Sequence, residues 1–142
     1  MIDRRWFALV LLAGCSPEPP PKPAPKPAAV KPADPDALPV YAVAVDKRGL
    51  LLTNPKTRQA KPAAFGLRQS LIIAILTRTL GSPQEGRDAA CAKDFARWNN
   101  GLTLWFDAGT FAGWSVDGAD ATVALAPEMT RAAKMAAGVT CD

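Results

Sequence analysis

Between Ser16 and Pro39 the chain places ten of its 14 prolines, and that stretch decides where a folded core can lie. Proline fixes φ and removes a backbone donor, so neither a helix nor the interior of a sheet can run through the segment. Lys22, Lys26 and Lys31 and several alanines fill the gaps, with no aromatic residue to bury. The expectation is an extended polyproline II spacer that reaches up to about 75 Å at roughly 3.1 Å per residue. A docking peptide within Pro21 to Pro27 is the alternative to a plain tether. Folding is therefore confined to residues 40–142, enough for one modest domain.

Ahead of the prolines stand Arg4 and Arg5, an apolar run from Trp6 to Leu12, and Ala13-Gly14-Cys15. A cationic start, a short apolar stretch and small residues before a cleavage point are the layout of an export signal, too short for a permanent membrane span. Leu12-Ala13-Gly14-Cys15 resembles the lipobox of bacterial lipoproteins. That resemblance implies that Cys15 is acylated and becomes the first residue of the mature chain. Each buried methylene of its acyl chains would add about 0.8 kcal/mol of membrane affinity. The division expected is 1–14 signal peptide, 15–39 lipidated cysteine and tether, and 40–142 folded domain. The plainer reading leaves Cys15 as a small apolar residue beside an ordinary cleavage site. Asp3-Arg4-Arg5-Trp6-Phe7 also resembles a twin-arginine signal, which would export the domain already folded. Ser16, in place of an aspartate, fits sorting to the outer membrane with the domain facing the periplasm.

Three cysteines are an odd number for an exported chain. A lipid on Cys15 accounts for one and leaves Cys91 and Cys141 to form a disulfide, which would hold the last residues against the domain. The alternatives are two independent thiols, or Cys91 as a nucleophile. The chain has no histidine, the usual partner that would generate its thiolate.

Within the domain, Tyr41 to Val45 and Leu50 to Thr53 read as short strands on either side of Lys47-Arg48-Gly49. Leu67, Leu71 and Ile75 form one i,i+4 row and Ile72, Leu76 and Leu80 the next, the stripe of an amphipathic helix stopped by Gly81 and Pro83. A polar loop with Glu85, Arg87 and Asp88 follows. Asp94 to Trp98, Leu102 to Phe106 and Thr110 to Val116 then read as a three-strand meander. Asn99-Asn100-Gly101 and Asp107-Ala108-Gly109 suit three-residue loops with glycine in the left-handed position. Under that register Ala96, Trp98, Leu102, Leu104, Phe106, Ala112, Trp114 and Val116 share the core face. Phe95, Arg97, Thr103, Trp105, Phe111 and Ser115 share the other. A two-residue second loop would instead exchange Phe111 and Trp114. Glu128 to Ala137 reads as a short helix after Pro127, ended by Gly138. The fold expected is α+β: an amphipathic helix on an antiparallel meander, with short N-terminal strands and a short C-terminal helix.

Phe65-Gly66-Leu67, the helix end Leu80-Gly81-Ser82-Pro83, Trp98, and the hairpin with Trp105-Phe106 and Phe111-Ala112-Gly113-Trp114 resemble the helix-then-meander of SmpA/OmlA (BamE-like) outer-membrane lipoproteins. Related beta-lactamase-inhibitor-type modules share the pattern. Asp94 to Phe106 and Phe111 to Val116 also resemble a run found in proteobacterial envelope proteins of no assigned activity. The first resemblance implies a non-catalytic part in outer-membrane assembly or integrity. The strands ahead of the helix and the long tether depart from it, so no functional residue is carried over.

Without histidine, Ser-His-Asp, Cys-His and most zinc chemistries drop out together. No catalytic residue, metal site or cofactor is expected. Asp88, Asp94, Asp107, Asp117 and Asp120 leave a carboxylate hydrolase conceivable, but Asp107 and Asp117 stand near glycines where turns favour aspartate. Lys47 to Arg78 contains seven basic residues and no acidic one. Such a run is either a solvated face or a patch for anionic lipid; nucleic acid is not an expected partner in that compartment. Phe95, Arg97, Trp105 and Phe111 form a candidate binding surface, since aromatics beside arginine are typical of interface hot spots. The other reading makes them a second buried face. The function expected is a membrane-anchored, non-catalytic interaction or assembly module meeting an envelope protein, glycan or anionic lipid. The alternative is a periplasmic ligand-binding or enzyme-inhibitor domain.

Overall fold

A computed structural model describes residues 39–118 and 120–141. The expectations for the export signal, for Cys15 and for the tether up to Leu38 lie outside the described residues. Nine strands and one helix follow in the order β1 (Ala42–Asp46), β2 (Gly49–Thr53), β3 (Ala60–Ala64), α1 (Gln69–Leu80), β4 (Gln84–Asp88), β5 (Lys93–Arg97), β6 (Leu102–Asp107), β7 (Thr110–Asp117), β8 (Ala124–Leu125) and β9 (Lys134–Gly138).

The strands form two sheets. The first has the order β3-β2-β1-β8, with β8 parallel to β1. The second, β4-β5-β6-β7-β9, is antiparallel throughout. Alternation along each strand supplies the core between them. Val43 and Val45 from β1 and Leu50 and Leu52 from β2 meet Leu102, Leu104, Phe106, Trp114 and Val116 of the second sheet in one buried cluster. Ile72 and Leu76 of α1 join it fully buried, while Leu71 of the neighbouring row remains 45% exposed. Trp114 crosses the core, its indole N–H donating to the Asp46 carbonyl at 2.8 Å. Trp98 ties the end of α1 to β5, donating to the Gly81 carbonyl at 2.9 Å. Gly81 ends the helix at φ 81°, a conformation open to glycine because it lacks Cβ.

The α+β expectation is thereby corrected to a β-rich fold of two sheets with one short helix. Three segments account for the change. Glu128 to Ala137 does not form a helix: from Lys134 onward the chain pairs with β7, Met135 facing Val116 with only 8% exposure. An edge in need of backbone partners outweighs the helix propensity of an alanine-rich segment. The polar loop around Glu85 is β4, recruited by β5 although it has no apolar face of its own. The N-terminal strands are not an appendage; with β3 and β8 they make a full second layer. β3 carries Pro62, which the outer edge of a sheet tolerates.

Candidate functional site

Antiparallel pairing of β5 with β6 sets Phe95 opposite Trp105 and Arg97 opposite Thr103, on the face of the second sheet that points away from the core. The Phe95 and Trp105 ring centroids lie 5.9 Å apart at 59°. Arg97 is exposed and held twice over: its guanidinium carbon lies 5.6 Å from the Phe95 centroid, and its Nε donates to Thr103 Oγ1 at 3.2 Å. Trp105, only 4% exposed, donates its indole N–H to Ser115 Oγ at 2.9 Å. Thr103 and Ser115, each 5% exposed, make a polar floor whose hydroxyls are both engaged.

The face needs glycines at two points. Gly86 stands opposite Phe95, and a Cβ there would come within 2.7 Å of the ring. Gly113 stands opposite Trp105, and a Cβ there would meet the Val139 carbonyl oxygen at 2.5 Å and that of Ala137 at 2.7 Å. The chain leaving β9 therefore passes over β7 at this point, with the Val139 N–H donating to the Ala112 carbonyl at 3.0 Å. Two residues after Val139, Cys141 is joined to Cys91, in the connection between β4 and β5, with Cα atoms 5.8 Å apart. The last described residues strap one end of the meander.

Of the four residues in the candidate surface, the structure brings together Phe95, Arg97 and Trp105 and removes Phe111. Phe111 opposes Phe106 in the core, fully buried, its ring edge-on to Phe65 at 5.1 Å. The cause is the turn. Ala108 and Gly109 both have positive φ, 46° and 76°, so the β6–β7 loop has two central residues and not the expected three. A register shift beside Trp105 then absorbs Ala112 and returns Trp114 to the core side. Phe111 and Trp114 accordingly do not exchange faces, since both turn inward.

Arg97, Gly101, Thr103, Trp105, Ser115 and Asp117 line a depression of about 240 Å³. Ligand pockets commonly run from about 300 to 1,000 Å³, so this one suits a single side chain, sugar ring or headgroup. A larger, open recess of about 560 Å³ runs along the start of α1 past Arg68, Ile73 and Glu85. Its lining residues are half-buried or exposed, so the Arg97 depression, with its two buried hydroxyls, is the better-built site. Sequence reasoning missed Asp117 as a lining residue because turn chemistry explained it; only the register of β7 places it beside Ser115.

The carboxylates do not gather there. Asp94 pairs with Arg87 at 2.8 Å, and Asp88 accepts the backbone N–H groups of Ala90 and Cys91 in a turn. Asp88 also lies beside Cys91 and Cys141, the one group of potential metal ligands among the described residues, but the two sulfurs are joined to each other. Comparison with family models, with curated proteins and with solved structures finds no match to this chain.

Proposed function

We propose that this chain is a membrane-anchored envelope lipoprotein whose domain acts as a non-catalytic interaction module. Lipid on Cys15 holds it to a bacterial membrane, in this reading the outer one, and the proline segment gives it reach into the periplasm. The observation that carries the binding role is Arg97. Its guanidinium is oriented by Phe95 and Thr103 and belongs to no ion pair among the described residues, and Arg97 lines a depression together with Asp117. A cation fixed in place but engaged in no ion pair suits a partner that supplies a counter-charge, and pre-orientation lowers the entropy cost of binding. A partner presenting an acidic or hydroxyl-rich protrusion fits this face.

The periplasmic ligand-binding or inhibitor reading draws on the same depression, whose volume suits one sugar ring or one inserted side chain. Site-specific crosslinking in whole cells separates the outcomes. A photoreactive side chain at Asn99, in the exposed turn beside Arg97, should give a discrete protein adduct that Arg97→Glu abolishes. No adduct, or one indifferent to Arg97→Glu, contradicts the module reading.

A further inference from the structure

We propose that the outward face of the first sheet is a membrane contact, seated on anionic lipid headgroups through Lys47, Arg48, Lys56 and Arg58. Residues 40–64 hold these four cations and Lys61 against one carboxylate, Asp46, whereas residues 65–141 hold seven cations and seven carboxylates. The excess charge of the described domain therefore sits on β1, β2, β3 and their connections. All five cations are exposed, and none forms an ion pair among the described residues. Asp46 is occupied locally, its carboxylate accepting the Arg48 backbone N–H.

The surface between these charges is apolar. Register places Ala44, Leu51 and Pro62 side by side across β1, β2 and β3, facing away from the core. The cations stand at both ends of the strands, Lys47 and Arg48 in one turn and Lys56 and Arg58 in the opposite loop, whereas Lys61, opposite the core-facing Leu52, belongs to the other side of β3. An array of separated cations around an apolar centre of Ala44, Leu51 and Pro62 matches a surface of diffuse negative charge over an apolar interior. Arg58 is held in the β2–β3 loop by its backbone N–H, which donates to the Asn54 carbonyl at 2.8 Å. The tether also arrives here. Pro39 and Val40 line a recess with Asn54, Pro55 and Lys56, so the chain from the proposed anchor enters at the cationic loop. This contact goes beyond the anchored-module reading and does not depend on acylation of Cys15.

The test uses the full chain with Cys15→Ser, which removes the acylation site, mixed with phosphatidylcholine vesicles with or without phosphatidylglycerol and separated by flotation. Each variant is compared with the same parent, so residues 1–38 contribute equally throughout. The parent should float more with the anionic vesicles and be released as salt shortens the screening length. Neutralising each of Lys47, Arg48, Lys56 and Arg58 to Gln should lower partitioning about fivefold, while Lys93→Gln and Lys134→Gln on the second sheet should leave it unchanged. Equal partitioning with and without phosphatidylglycerol, or equal losses from the first-sheet and second-sheet variants, overturns the proposal. Either result leaves the Cys15 anchor and the Arg97 site standing, because those are read by intact mass and by crosslinking.

Discussion

Trp105 and Ser115 are joined across β6 and β7 by an indole-to-hydroxyl hydrogen bond of 2.9 Å, buried on the sheet face that turns away from the core. Ser115→Ala leaves the indole N–H without its partner in a site nearly closed to water. The cost of such an orphaned donor is about 1–3 kcal/mol. Chemical denaturation of parent and variant measures it, and a loss below about 0.5 kcal/mol, the range of an ordinary surface change, contradicts the buried bond.

The β6–β7 turn makes a prediction of opposite sign. Ala108 occupies a left-handed conformation at φ 46° and precedes Gly109, so Ala108→Asn creates the Asn-Gly pair that two-residue hairpin turns favour. Relief of the alanine strain should raise stability by about 1 kcal/mol. A thermal melt that falls or stays level indicates that the loop does not have two central residues, and that Phe111 is not held inward by it.

Gly86→Ala and Gly113→Ala should differ in severity. The new methyl at Gly86 meets the tip of the Phe95 ring, which can shift, whereas the one at Gly113 meets two backbone carbonyls that cannot move independently. Overpacking of that kind costs about 1–3 kcal/mol, and Gly113→Ala should lie at the upper end, Gly86→Ala at the lower. Equal losses in denaturant would mean that the chain after β9 does not cross β7 at this point.

The Cys91–Cys141 link closes a separation of 50 residues. In the chain-entropy account such a bridge stabilises by about 4 kcal/mol, with native strain reducing the amount. The double change Cys91→Ser and Cys141→Ser should lower stability by about 2–5 kcal/mol. Peptide mapping of the oxidised protein should find Cys91 and Cys141 peptides linked until reduced. Free thiols at both positions contradict the pairing.

How much was legible in advance depended on whether a segment carried its own signal. Ile72 and Leu76 repeat at helical spacing and Gly81 stops them, so α1 could be read directly. Leu102 and Leu104 alternate, and β6 followed. β4 has no apolar residue to alternate, because Gly86 makes room for a ring that belongs to β5. β9 reads as helix because alanine is at home in either state; its strand identity comes from the free edge of β7, which is tertiary information. At the candidate site Phe95, Arg97 and Trp105 share one sheet face, as strand alternation predicts, because they lie before the bulge. Phe111 lies beyond the turn, where a change of one residue in loop length inverts a side chain.

Export and anchoring at Cys15 set where the domain works, and the intact mass of the chain purified from its own membrane tests them most directly. The result expected is a mature chain beginning at Cys15 and carrying covalent lipid. A chain of unmodified mass, or one whose first residue lies elsewhere, contradicts the anchor and with it the proposed address of the Arg97 site.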